Sequence, residues 1–92
     1  MPSAERLAVA ILEDPAGWSA DVTINEPTVT RHRVRISRAE HVRYGGGDVG
    51  VLVRRSFAFL LAREPNTSIL REFDLSTIER YFPEYAREIT RR

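Results

Sequence analysis

The sequence predicts one α+β domain in which an antiparallel β-hairpin packs against three to five helices. Two stretches, about 18–24 and 28–36, alternate apolar and polar residues as half-buried strands do. A third stretch, about 49–63, is apolar at helical spacing and is the longest predicted helix. We expect a single domain over 1–92, within which residues 1–16 could form an N-terminal helical extension.

All 14 basic residues of the chain are arginine, and cysteine is absent. This composition excludes a cysteine nucleophile, a disulfide framework and a Schiff-base lysine. A net charge of +1, with 42% hydrophobic and 29% charged residues, is typical of a soluble globular domain. The apolar run at 7–12 is too short to span a bilayer and no export signal precedes it, so we expect a cytoplasmic protein with no membrane partner.

The first predicted helix covers about 4–13, with Ser3 as its N-cap and apolar residues at helical spacing, although the sequence does not decide between a helix and a strand for this segment. The segment 14–17 contains proline and glycine and ends it. The hairpin follows. Its second strand divides into an apolar face and an arginine face: His32, Val34 and Ile36 against Arg31, Arg33 and Arg35.

Capping signals place the next two helices. The segment 37–40 has the form of a capping box and starts a short helix that three glycines, 45–47, end after Tyr44. Asp48 then caps the helix over 49–63. The wide apolar face of this helix predicts either a central core helix or a dimer face, and it comprises Val49, Leu52, Val53, Phe57, Phe59, Leu60 and Leu61.

The C-terminal third predicts further short helices. Asn66 or Thr67 can cap a short helix carrying Ile69, Leu70 and Phe73, and 76–79 has the form of a second capping box. Apolar residues then keep helical spacing through Pro83. This register predicts a kinked helix, or two short helices that meet at Pro83.

The segments SFAFLLAREP at 56–65, SIL at 68–70, FDL at 73–75 and YFPEY at 81–85 resemble small bacterial proteins to which no activity is assigned. The resemblance covers about a third of the chain. It implies a compact bacterial domain and carries over no catalytic or binding residue.

No catalytic, metal or cofactor motif stands out. The segment 45–50 matches the spacing of a dinucleotide-binding loop, but a predicted helix precedes it and Asp48 occupies the anion position, which favours a simple connection. His32 and His41, with Glu40 and Asp48, match no metal spacing, and we expect a packed and a solvated histidine. Ser56 lies inside a helix without a nucleophile elbow. We therefore expect a non-enzymatic protein without a cofactor.

The alternating Arg31, Arg33 and Arg35, with Arg38 close by, raise one alternative function. A two-stranded ribbon bearing arginines fits the major groove of DNA, and the order of elements resembles a ribbon-helix-helix regulator. The sequence departs from that pattern because the first helix is too short and the strand is far from the N-terminus. The other interpretation is a solvent-facing side of a sheet whose arginines pair with nearby carboxylates.

Tyr81, Phe82 and Tyr85 surround Pro83 and form the last candidate cluster. Aromatic residues of this kind anchor protein interfaces, although they also pack beneath kinked helices. Our first hypothesis is a protein-interaction or regulatory module that acts through a protein partner or through self-association, as a homodimer over the apolar face of 49–63. A DNA-binding regulator is the alternative.

Overall fold

A four-stranded mixed sheet is the framework of the protein in the computed structural model, which describes residues 6–91. The strands are β1 (Leu7–Asp14), β2 (Gly17–Ile24), β3 (Thr30–Ser37) and β4 (Glu72–Asp74), in the spatial order β1-β2-β3-β4. The first three are antiparallel neighbours, and β4 pairs parallel with β3. The helices are α1 (Arg38–Arg43), α2 (Val49–Leu61), α3 (Thr77–Tyr81) and α4 (Tyr85–Thr90). The α+β class and the predicted hairpin are confirmed.

The N-terminal segment is a strand, so the helix predicted over 4–13 is wrong. β1 pairs along its whole length with β2, from Leu7 opposite Ile24 to Asp14 opposite Gly17. Asp14 closes the hairpin because its carboxylate accepts hydrogen bonds from the amides of Ala16 and Gly17. Ser3, the predicted N-cap, lies outside the described residues. A short apolar run fits a helix or a strand equally well, and here pairing with β2 decides between them.

One face of the sheet forms the core. Alternate residues of β2 and β3 point towards the helices. Ala20 and its partner Val34 are fully buried, whereas Trp18, opposite the buried Ile36, is half-buried. α2 crosses this face, and its Phe57 ring lies against His32 of β3 and Phe73 of β4. The opposite face of the sheet bears the arginines and stays open to solvent.

The predicted starts of α1 and α2 are confirmed. Ser37 Oγ accepts from the Glu40 amide at 3.0 Å while Glu40 accepts from the Ser37 amide at 2.8 Å, which completes the capping box. Asp48 caps α2 by accepting from the Val51 amide. The apolar face of α2 is buried beneath its own chain, with Val49 and Leu61 half-buried at its ends. α2 is thus a core helix, and that face offers no surface for a second copy.

The segment between α2 and α3 differs from the prediction. A single 3₁₀ turn, Asn66–Ser68, precedes β4, and Phe73 lies on that strand rather than on a helix. Asn66 is buried and donates to the Thr28 carbonyl instead of capping a helix. The capping box predicted at 76–79 does not form. Two short helices, α3 and α4, flank Pro83, as one of the two alternatives predicted.

Candidate functional site

An apolar groove lies between the end of α2, the segment before β4, and α3. Its volume is about 230 Å³. Its walls are Leu60, Ile69, Leu70, Phe73, Ile78, Tyr81 and Phe82, and its rim carries Glu64, Ser68 and Thr77. We call this feature the apolar groove. Tyr81, with 67% of its surface exposed, and Leu70, with 47%, stand at its mouth.

The core holds the walls of the apolar groove in place. His32 Nδ1 lies 2.7 Å from the Leu70 carbonyl oxygen, and its Nε2 lies 3.0 Å from Thr30 Oγ1. Phe82 packs edge-on against Phe59 of α2, with ring centroids 5.9 Å apart. Contacts with core residues therefore hold Leu70 and Phe82 in place, which favours a groove that exists before any partner binds.

The polar rim of the apolar groove is open to new interactions. Among residues 6–91, the side chains of Glu64, Ser68 and Thr77 make no hydrogen bond or ion pair. The neighbouring Arg63 turns the other way, because it stacks on the Phe59 ring and pairs with Glu84 at 3.3 Å. Glu64 therefore gives the groove a negative end that its own chain does not neutralise.

The structure divides the predicted aromatic cluster. Tyr81 and Phe82 line the apolar groove, whereas Tyr85 is fully buried in the core and its hydroxyl lies 2.6 Å from Ser56 Oγ. Burial raises the pKa of Tyr85, so this hydroxyl stays protonated. Ser56 is itself buried and donates to the Leu52 carbonyl, which makes it a structural residue.

Sequence reasoning missed Leu70 and Glu64. The sequence predicts Leu70 on a short helix, and Glu64 precedes a proline with no motif around it. No local pattern identifies Glu64, because the groove that it borders is formed with α3, which is distant in the sequence.

The arginine face is largely neutralised by the protein's own carboxylates. Arg33 pairs with Asp21 at 2.9 Å, and Arg35 forks between Asp74 at 2.9 Å and Glu72 at 2.6 Å. Hydrogen bonds to these carboxylates raise the pKa of both arginines.

The other two arginines of that cluster differ from each other. Arg38 pairs with Glu13 at 3.0 Å and stacks over the Trp18 ring. Arg31 has no ion-pair partner among the described residues. Arg71, which lines the same depression as Arg31, also has no ion-pair partner among the described residues, but two guanidinium groups are a small fraction of the charge that a nucleic-acid surface needs.

The position of β3 also bears on the alternative of a DNA-reading ribbon. β3 lies inside the sheet, with β2 on one side and β4 on the other. A ribbon-helix-helix protein pairs the arginine-bearing strand with the same strand of a second copy, so that strand needs a free edge. In this fold β4 occupies the central part of that edge of β3, at Arg33 to Arg35, and the geometry does not supply a continuous ribbon for a second copy.

The histidines and the glycine loop are structural. His32 is packed and hydrogen-bonded, as predicted. His41, which we expected to be solvated, is half-buried against Trp18, and its Nε2 is 2.7 Å from the Gly47 carbonyl oxygen. Gly46 donates in turn to the His41 carbonyl, which closes the loop between α1 and α2. Among residues 6–91, no group of three or more histidine, cysteine or acidic side chains is placed to hold a metal ion.

One charged cluster joins α1 to α3. Glu79 accepts hydrogen bonds from Arg43 Nη2 at 2.7 Å and from the Tyr44 hydroxyl at 2.7 Å. The hydrogen bond from Arg43 lowers the pKa of Glu79 most, and the hydrogen bond from Tyr44 lowers it further. Burial, together with the bond to Glu79, raises the pKa of Tyr44 to about 12. The cluster fastens α3, and with it one wall of the apolar groove.

Comparisons with known proteins give no relative, since neither a family model, nor a curated protein, nor a solved structure matches this chain. Within the described part of the chain, no helix is both long and apolar enough to cross a membrane.

Proposed function

We propose that this protein is a protein-interaction module that binds one large apolar side chain of a partner polypeptide in the apolar groove, beside a basic residue of the same segment. The role needs no catalytic step. The observation that carries the proposal is a preformed apolar groove whose single charged lining residue, Glu64, has no partner among the residues described.

The size of the groove favours a side chain over a small-molecule ligand. Its volume of about 230 Å³ lies below the range of about 300–1,000 Å³ that is common for small-molecule and cofactor sites. A space of this size suits one aromatic or long aliphatic side chain, the kind of residue that dominates binding energy at protein interfaces. Tyr81 and Leu70 at the mouth would then cover the inserted side chain.

The charge of the rim favours a basic neighbour in the partner. Glu64 is half-buried next to apolar walls, where an unpaired carboxylate gains from an incoming cation. Ser68 and Thr77 add hydroxyl groups that can bond to a partner's backbone. A segment with a large apolar residue followed or preceded by arginine or lysine satisfies both features.

Two short peptides test this proposal on the full chain. We expect N-acetyl-Trp-Arg-amide to shift the NMR signals of Ile69, Leu70 and Tyr81, and to bind about two- to fivefold more tightly than N-acetyl-Trp-Glu-amide. The preference should disappear in Glu64→Gln, because the carboxylate is its source. Leu70→Asp should abolish binding of both peptides.

The control is Val42→Asp, which puts the same charge on an exposed apolar position of α1 outside the groove. It should bind both peptides like the parent chain. The proposal fails if neither peptide perturbs the groove signals, or if the arginine peptide keeps its preference in Glu64→Gln.

A further inference from the structure

β1 is an unprotected edge of the sheet. It pairs with β2 on one side, and none of the other described strands pairs with its outer side. The segment 7–12 contains no proline, no charge and no bulge, which are the usual devices that keep such edges from pairing. Ile11 is 39% exposed and Leu12 is 70% exposed along this strand. An edge of this kind is a template for another strand.

The hydrogen-bonding groups that face outward can be assigned from the register. The Asn25 amide donates to the Arg6 carbonyl, and Arg6 precedes the first paired residue of β1, so every second residue from Arg6 onward bonds to β2. Val9, Ile11 and Glu13 therefore direct both their amide and their carbonyl groups away from β2. The Leu7 carbonyl, at one end of this edge, accepts from Arg54 Nη1 at 3.1 Å.

We propose that two copies of this chain pair through the outer edges of their β1 strands, antiparallel about a two-fold axis at Ala10, to form one continuous sheet. In this register Val9 of each copy lies opposite Ile11 of the other, and both contribute outward-facing backbone groups. Ala10 lies opposite itself, and the protruding Leu12 lies opposite the small Ala8.

Charge complementarity favours the antiparallel orientation. β1 is preceded by Arg6 and ends in Glu13 and Asp14, so pairing about Ala10 sets Arg6, which contacts Glu26 of its own copy at 3.7 Å, opposite the Asp14 of the other copy. Glu13, which pairs with Arg38 of its own copy at 3.0 Å, comes opposite Leu7, whose carbonyl accepts from the Arg54 guanidinium. A parallel arrangement would instead place like charges side by side at both ends, which is unfavourable.

The helix beside the edge carries a matching exposed stripe. Val51, Arg54 and Ala58 follow one another at i, i+3 and i+7 on α2, and all three are exposed. Arg54 reaches the backbone of β1, so this stripe faces the same side of the molecule as the outer edge. Pairing of two β1 edges brings the two stripes towards each other and covers apolar surface that the single copy leaves in water.

Single cysteines in this cysteine-free chain test the proposal. Residues opposite each other at a non-hydrogen-bonded position have Cα atoms about 4.5 Å apart, within the range that a disulfide spans. We expect Ala10→Cys to cross-link into a dimer on mild oxidation. The matched variant Ala8→Cys, on the same strand and face, should give only background cross-linking.

Two measurements on the parent chain complete the test. Light scattering should give twice the monomer mass of 10.5 kDa. Hydrogen exchange should show protected amides at Val9, Ile11 and Glu13 as well as at their neighbours bonded to β2. A monomer mass at millimolar concentration, equal cross-linking of the two cysteine variants, or fast exchange confined to these three amides would each overturn the proposal.

Discussion

Ser56 and Tyr85 share a buried hydrogen bond, and Ser56 has a second partner that Tyr85 lacks. Ser56 Oγ donates to the Leu52 carbonyl at 2.7 Å, so the Tyr85 hydroxyl donates to Ser56. We expect Ser56→Ala to lower the free energy of unfolding by about 1–3 kcal/mol, because it leaves a buried hydroxyl unpaired. Tyr85→Phe should cost about 0.5–1.5 kcal/mol, since Ser56 keeps Leu52. Urea denaturation measures both, and a larger loss in Tyr85→Phe would contradict this assignment.

Glu79 makes the stability of α3 depend on pH. Its pKa is lowered in the folded protein by hydrogen bonds from Arg43 and Tyr44, so its contribution is present above the unfolded value of about 4.3 and is lost as the pH falls through the folded pKa. We expect Glu79→Gln to have a lower melting temperature than the parent chain at pH 7. The difference should shrink as the pH falls below the unfolded value and through the lowered folded pKa, because the carboxyl group is then protonated in both states.

The control for that experiment is Glu88→Gln. Glu88 pairs with Arg91 at 3.9 Å on the surface, which predicts a small effect at every pH. A difference between Glu79→Gln and the parent chain that stays constant from pH 7 to pH 3 would show that the carboxylate charge is not the cause.

The residues of the core were easier to predict than their partners. Strand alternation placed His32 inside and predicted that it would be hydrogen-bonded, and both statements are confirmed. Its partner, the Leu70 carbonyl, is 38 residues away in the sequence. Local periodicity specifies which side of an element is buried, whereas the partner depends on chain reversals that no short pattern encodes.

At the scale of elements, the turn between β1 and β2 depends on one glycine. Gly17 has φ of 149°, and a Cβ atom there would clash with the Ile36 carbonyl oxygen of β3. We expect Gly17→Ala to lower the free energy of unfolding by about 3 kcal/mol or more. Gly46→Ala is the matched control, because φ is 66° but nothing lies within 4 Å, so we expect a loss of about 1–2 kcal/mol.

The two glycine variants are compared by chemical denaturation under one condition. Equal losses in the two would mean that the close approach of β3 at Gly17 does not limit the side chain, and that backbone conformation alone matters. The ordering is therefore a test of the register between β2 and β3, in which Gly17 lies opposite Ser37.

Helix ends were predictable where capping residues mark them, and short strands were not. The cap residues Ser37 and Asp48 start α1 and α2 as predicted. The alanines and leucines of β1 fit a helix as well as a strand, so the sequence alone favours the wrong element there. β4 has only three residues and pairs parallel with a strand far away in the sequence, so its formation depends on tertiary pairing.

At the scale of the whole molecule, the positions of the acidic residues show that most of the arginine face of β3 is paired within the chain. The strand that bears three alternating arginines faces acidic residues of both neighbouring strands, and two of the three are paired. The sequence suggested this pairing as one alternative but could not decide it, because β4 was not predicted. The sequence does not predict the apolar groove either, because its walls come from segments that meet only in the folded chain.

Selection of binding peptides tests most directly the proposal that the apolar groove binds a partner polypeptide. A library of random peptides displayed on phage is selected on the full chain, and the enriched peptides are then measured on the parent chain, Leu70→Asp and Val42→Asp. We predict enriched sequences that combine one large apolar residue with an adjacent arginine or lysine, and that bind the parent chain and Val42→Asp but not Leu70→Asp. Enriched peptides that bind Leu70→Asp as tightly as the parent chain, or that lack the basic residue, would contradict the proposal.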